Sequence, residues 1–245
     1  MKYLASIGSY FIMLREVFKK PTKWRIMKSL ILKEIDELIF SSLGIIIFIS
    51  FFIGAVVTIQ TALNLTNPII PKNLIGFTAR QSVILEFAPT FVSIIMAGKV
   101  GSYITSSIGS MRVTEQIDAL EVMGINALNY LVFPKIIAML FYPFAISIGM
   151  FVGIFGGWVA GVSGGYLTSA DFVDGLQLDF IPFHITYAFL KTIVFALLIA
   201  TIPSFHGFYM KGGALEVGKA STTAFVWTSV AIIIANYVLT QLLLG

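Results

Sequence analysis

The sequence predicts an all-α integral membrane protein: N-terminal interfacial helices, five transmembrane helices and one short cytoplasmic helix. Three observations carry this. The 245 residues are 58% hydrophobic and 11% charged, where soluble domains are about 45–50% apolar and about 25% charged, and the mean hydropathy is +0.94. Apolar runs long enough to cross a bilayer recur along the chain. Basic residues gather on one side of those runs. The chain has no cysteine, which excludes a disulfide framework, a thiol nucleophile and a cysteine metal site. His184 and His206 are too few for a histidine-built metal centre.

Lys2, Arg15, Lys19, Lys20, Lys23, Arg25, Lys28 and Lys33 all precede the first long apolar run. The apolar stretch 3–14 runs into Arg15-Glu16 and Lys19-Lys20 with no small-residue cleavage site, so the start reads as mature protein. Basic flanks beside membrane spans explain the cluster more simply than a nucleic-acid surface, and no nucleic-acid partner is expected. Within 3–18, Tyr3, Ile7, Phe11, Leu14 and Phe18 share one helical face. Pro21 ends that helix. A second follows, with Trp24, Met27, Ile31, Ile35 and Leu38 on one face and Lys23, Arg25, Lys28, Lys33, Asp36 and Glu37 largely away from it. Basic helices with aromatic apolar faces lie in the membrane interface. Residues 1–38 therefore form an amphipathic interfacial segment, and 39–245 a five-span domain.

A membrane-crossing helix needs about 20 apolar residues. Five stretches qualify, at about 39–63, 76–98, 131–160, 182–206 and 221–244. The second contains Glu86 and Pro89, the third Pro134 and Pro143, and the fourth Lys191. With the N-terminus inside, the inner segments hold the eight basic residues above plus Lys99, Arg112, Lys135, Lys211 and Lys219. The outer segments, 64–75 and 161–181, hold only Lys72, and the second carries Asp171, Asp174 and Asp179. This asymmetry puts the N-terminus in the cytoplasm and Gly245 outside.

Glu86 and Lys191 each lie nine to ten residues into their spans from the outer side, so about 14–15 Å deep at 1.5 Å per residue. A lone charge there costs at least about 2.5–3.5 kcal/mol. Equal depth and opposite sign make them a candidate ion pair. Pro89 removes a backbone donor and predicts a kink in the second span. Gly149, Gly153, Gly157 and Gly161 recur every four residues in the third, a ladder that lets another helix approach. Packing within one subunit explains it more simply than a dimer seam.

Residues 109–124, GSMRVTEQIDALEVMG, concentrate charge in an otherwise apolar chain. Val113, Ile117, Leu120 and Gly124 fall on one line, and Arg112, Glu115, Asp118 and Glu121 stay off it. The pattern predicts a short amphipathic helix at about 114–123, with Thr114 as N-cap, Glu115 in the first turn and Gly124 as the stop. Two readings stand: an interfacial helix with a solvated face, or a docking element for a cytoplasmic partner.

Gly213–Ala220, GALEVGKA, nearly spells a phosphate-binding loop, but Ala220 stands where a Mg²⁺-holding hydroxyl is needed and no strand precedes it. The chain is thus expected to bind no nucleotide or other cofactor. His206, Ser204 and Ser221 have no partners placed for a catalytic triad.

PTFVSIIMAGKVGSYITSSIGSMRVTEQIDALEVMGINALNYLVFPKIIA resembles the permease subunit of the MlaE/YrbE family, strongest at AGKVGS, IGSMRVTEQIDAL and MGINALNYLVFPK. Weaker similarity runs from about residue 40 to the end, through FGGWVAGVSGG and LKTIVFAL. The pattern departs from the family's at Leu85, Lys99 and Ser107. The resemblance implies the membrane subunit of an ABC transporter in the bacterial inner membrane. That subunit would be a homodimer moving phospholipid to or from a periplasmic MCE-domain protein. ATP and Mg would be bound by a separate cytoplasmic ATPase. The segment matching EQIDAL would be the coupling helix, with Glu115, Gln116, Asp118, Ala119 and Leu120, beside Arg112, at the ATPase. Glu86 and Lys191, with Phe87 and Pro89 beside them, would either fix packing or line the lipid cavity. By its charge and position alone, the acidic loop 161–181 is expected to meet the MCE protein. A secondary transporter of an amphipathic substrate is the rival reading, though five spans do not divide into equal repeats. An intramembrane enzyme would need His, Asp or Ser clustered within the spans, and the sequence has no such cluster.

Overall fold

The computed structural model describes residues 2–19, 24–65, 67 and 69–244, with side chains from residue 6 onward. Pro21, Lys20 and Lys23, the side chains of Lys2 and Tyr3, and the outer terminus expected at Gly245 lie outside the described residues. Those described are helical, with no strand among them. In order they form α1 (Lys2–Val17), α2 (Trp24–Leu38), α3 (Leu43–Asn64), α4 (Asn73–Ser82), α5 (Val92–Met96), α6 (Ser102–Val113), α7 (Gln116–Val122), α8 (Ala127–Met139), α9 (Tyr142–Ser163), α10 (Ser169–Gln177), α11 (Phe183–Tyr209) and α12 (Ala214–Leu244). Two π-helical segments, Val83–Phe91 and Ala97–Gly101, join α4 to α5 and α5 to α6. Trp24–Asn64, Asn73–Val113, Ala127–Ser163, Phe183–Tyr209 and Ala214–Leu244 are long and apolar enough to cross a membrane. The chain is an all-α integral membrane protein. The single third span of the sequence reading is two helices, α8 and α9, parted at Leu140-Phe141 just before Pro143.

The chain packs as two compact units. The first comprises residues 1–41, 94–142 and 194–237. There α1 and α2 both lie on α8. Helix α2 turns Met27 and Leu38 of its predicted face inward, with Ile31 and Ile35 half-buried, and leaves Arg25, Lys28, Lys33, Asp36 and Glu37 exposed; Trp24, assigned to the same face, is exposed at the helix start. On α1 the residues against the protein are Met13 and Val17, both fully buried, while Ile7, Phe11 and Phe18 on the predicted stripe are exposed. The helix is apolar on more than one side, so the periodicity marks an exposed side, not the packed one. Lys135, counted in sequence as a flanking charge, is buried in α8 and bonded to Glu34 of α2.

The second unit comprises residues 42–93, 143–193 and 238–245. Here the glycine ladder of α9 packs on α3. A Cβ at Gly54 would overlap the Gly153 carbonyl, and one at Gly156 the Phe51 carbonyl. Backbones this close need glycine at the point of approach, on both sides at Gly54 and Gly153 and on the α9 side alone where Gly156 meets Phe51. Within the predicted outer loop 161–181 the chain folds α10, started by a capping box in which Thr168 and Asp171 bond each other's backbone. Helix α10 packs on α4 around Ala62, Ile75, Ala79, Leu167 and Phe172. Arg80 clasps this arrangement: buried, it donates to the Leu176 and Asp179 carbonyls and lies against the Phe77 and Phe180 rings.

Candidate functional site

The first candidate site is the short exposed helix. It begins at Gln116, two residues later than the sequence predicts. Thr114 does not cap it. Both its N–H and its hydroxyl bond the Ser110 carbonyl, so it closes α6. Glu115 is not in the first helical turn either. It occupies the N-cap position with φ of 57°, in the left-handed region, where a residue with a Cβ is strained. The chain thus breaks for two residues, Thr114 and Glu115, and restarts as α7. The end follows the sequence: Gly124 has φ of 74° and bonds the Glu121 carbonyl, while Ile125 bonds that of Leu120. These two bonds form the Schellman stop that favours glycine.

Ile117 is fully buried and anchors α7, and Leu120 is half-buried. Glu115, Gln116, Asp118, Ala119 and Glu121 are exposed. Arg112 reaches from α6 to bond Asp118 at 2.9 Å and lies over the Phe208 ring. The pair is solvent-accessible, so it is worth at most about 1 kcal/mol and orients α7 more than it stabilises it. The sequence reading missed two residues here. Val122 is 89% and Met123 65% exposed. The available signal was that both lie off the Val113–Ile117–Leu120 line. An apolar tip ringed by carboxylates is a surface that another protein can cover.

The second candidate site is within the span Asn73–Val113. The Lys191 ammonium stands 2.9 Å from Glu86 Oε1 and 2.9 Å from the Leu85 carbonyl oxygen, over the Tyr187 ring. Lys191 is fully buried, whereas the Glu86 side chain is 38% exposed. Thr90 donates to the other Glu86 oxygen. The nine residues Val83–Phe91 around Pro89 are π-helical. In α-helical register the N–H at position 89 would bond the Leu85 carbonyl. Proline has none, and Lys191 donates to that carbonyl. The kink predicted at Pro89 therefore takes the form of a widened helix, a device that frees backbone groups for side chains. Pro89 is buried, and the half-buried Phe87 ring lies 5.0 Å from that of Phe91.

A family profile described as Permease MlaE matches residues 31–242. The chain belongs to the MlaE permease family. A probable ABC transporter permease protein of Rickettsia conorii is 32% identical over 99% of this chain and 93% of its own length. A protein of the same description from Synechocystis is 34% identical over 95% of this chain and 89% of its own. The intermembrane phospholipid transport system permease protein MlaE of Haemophilus influenzae is 27% identical over 88% and 83%. Both candidate sites fall inside the region that matches the MlaE permease family.

The GALEVGKA segment of this MlaE-family chain starts α12 and follows a helix, not a strand. His206 lies near the end of α11, beside the Phe205 ring.

Proposed function

We propose that the chain is the membrane subunit of an ABC transporter that moves phospholipid between the bacterial inner membrane and a periplasmic MCE-domain partner. The observation that carries this is α7: an exposed helix, anchored by Ile117, set between two membrane-crossing segments in a chain of a permease family. A separate cytoplasmic ATPase would grip Glu115, Gln116, Asp118, Ala119, Val122 and Met123. Leu120 would bridge that surface and the anchor, and Arg112 would hold Asp118 in place. ATP and Mg would stay on the ATPase. The permease name of the Rickettsia and Synechocystis relatives and the phospholipid in the Haemophilus name support the reading. Two copies would form the pathway, with the N-terminus cytoplasmic and the C-terminus periplasmic, as the basic residues favour.

In this reading the Glu86–Lys191 pair has a definite part. Lys191 is fully buried among protein partners, while the Glu86 side chain is 38% exposed. The carboxylate is then the group that meets a passing headgroup, and Lys191 holds its orientation.

The test is purification of the tagged chain from native membranes in mild detergent, wild type beside a Glu115→Lys, Asp118→Lys double variant. We expect an ATPase and an MCE-domain protein to accompany the wild type, and the ATPase to be lost from the variant. A wild-type chain that purifies alone and without ATP hydrolysis rejects the proposal.

A further inference from the structure

A cavity of about 390 Å³ opens in the first unit where α11 ends and α12 begins. Its walls are built by three helices, α1, α11 and α12, and the turn between the last two. Tyr10 of α1 bonds the Thr201 hydroxyl at 2.7 Å and meets the Phe205 ring edge-on at 5.8 Å. That contact fixes α1 against α11, so Ser6, one turn before Tyr10, lines the cavity. Helix α11 contributes His206 and Tyr209, the turn Lys211, and the first turns of α12 Glu216 and Lys219. The cavity is therefore walled partly by the GALEVGKA segment, which resembles a nucleotide loop and lacks the means to be one.

The charge here is unbalanced. Glu216 bonds Lys219 at 2.7 Å. Lys211 makes no ion pair among the described residues, and neither it nor His206 donates a hydrogen bond there. Two ammoniums and one carboxylate leave a net positive wall, with imidazole, phenol and hydroxyl donors around it. Ile7 and Phe11 of α1 are exposed, and in a membrane such apolar residues would put acyl chains beside the opening. A pocket of this size is at the small end for ligands and suits a headgroup, not the chains.

We propose that this cavity holds the phosphate headgroup of an anionic glycerophospholipid, with Lys211 and His206 as the contacts to phosphate and Tyr209 and Ser6 as hydroxyl donors to the glycerol. Basic pockets between membrane helices bind such headgroups. The site is separate from the Glu86–Lys191 pair and goes beyond the transport reading, requiring only that the chain lie in a membrane.

The full-length chain in mild detergent is incubated with dioleoylphosphatidylglycerol or dioleoylphosphatidylcholine, and bound lipid is counted by native mass spectrometry. The wild type is expected to retain phosphatidylglycerol in preference to phosphatidylcholine. Lys211→Glu should lower that retention roughly tenfold, His206→Ala should lower it less, and Lys211→Arg should keep it. Lys28→Glu, on the exposed side of α2, should leave it unchanged. Equal retention by wild type and Lys211→Glu overturns the proposal. An equal loss in Lys28→Glu also overturns it, since the effect would then be general surface charge. Displacement of the lipid by equimolar sn-glycerol 1-phosphate overturns it too, because the ligand would then be a soluble phosphate. Unchanged thermal melting of each variant shows that the fold is intact, and the ATPase pull-down is expected to be unaffected.

Discussion

Lys191 is bonded to Glu86 at 2.9 Å with its own side chain fully buried and that of Glu86 38% exposed. The two ends of this pair are therefore not equivalent. Glu86→Ala strands a buried ammonium, which costs about 3–5 kcal/mol. Lys191→Met leaves a carboxylate with a way out and a carbonyl short of one donor, at about 1–3 kcal/mol. Thermal unfolding in detergent should rank Glu86→Ala below Lys191→Met. The Glu86→Gln, Lys191→Met double variant should be less destabilised than the sum of its singles. Additive losses would mean that the two side chains do not act as a pair.

Glu115 combines a left-handed backbone with an exposed carboxylate. Glu115→Gly relieves a strain of about 1 kcal/mol while removing the side chain. The variant should melt no lower than wild type and yet hold the ATPase more weakly. Glu115→Val should lose stability, because a β-branched residue at this φ is strained further. If the glycine variant keeps full ATPase association, the carboxylate is not part of the contact.

Two glycines of α3 make a controlled comparison. Gly44 has open space where a Cβ would go, and Gly54 has the Gly153 backbone. Gly44→Ala should change stability by no more than about 1 kcal/mol, and in the favourable direction. Gly54→Ala should cost about 3 kcal/mol or more, since backbone cannot move aside as a side chain can. Similar melting temperatures for the two would contradict the close packing of α9 on α3.

The start of α10 should depend on pH. The Thr168 hydroxyl, and then its backbone N–H, hold the Asp171 carboxyl below its ordinary pKa. A carboxyl whose pKa is depressed on folding contributes stability above the unfolded value, and the contribution is lost as pH falls through the folded one. Hydrogen exchange in the first turn of α10 should be faster in Asp171→Ala than in wild type near neutrality. The difference should fade below the ordinary carboxylate range. A difference that persists in acid would assign the effect to packing instead.

Much of this molecule can be read without coordinates. Composition and hydropathy settle the membrane class and the five long apolar segments, because burial in lipid demands a continuous apolar length whatever the tertiary packing. The Gly124 stop is legible for a similar reason: it depends on backbone geometry within a few residues. The glycine ladder announces a close helix contact, though not that α3 is the helix it meets.

Side-chain partners across the sequence were decided by the fold. Arg80 and Lys135 look like ordinary basic residues in sequence, and only folding buries them and supplies the Leu176 and Asp179 carbonyls for one and Glu34 for the other. Thr114 was misread because a hydroxyl between two helices can serve either, and its bond to Ser110 is a matter of geometry. The face of α1 that packs was hidden because the helix has apolar residues on more than one side, and in a membrane protein such residues serve contact with lipid or with protein alike. Hydropathy measures transfer from water, which both environments reward alike. It cannot separate them, and contacts between residues distant in sequence do.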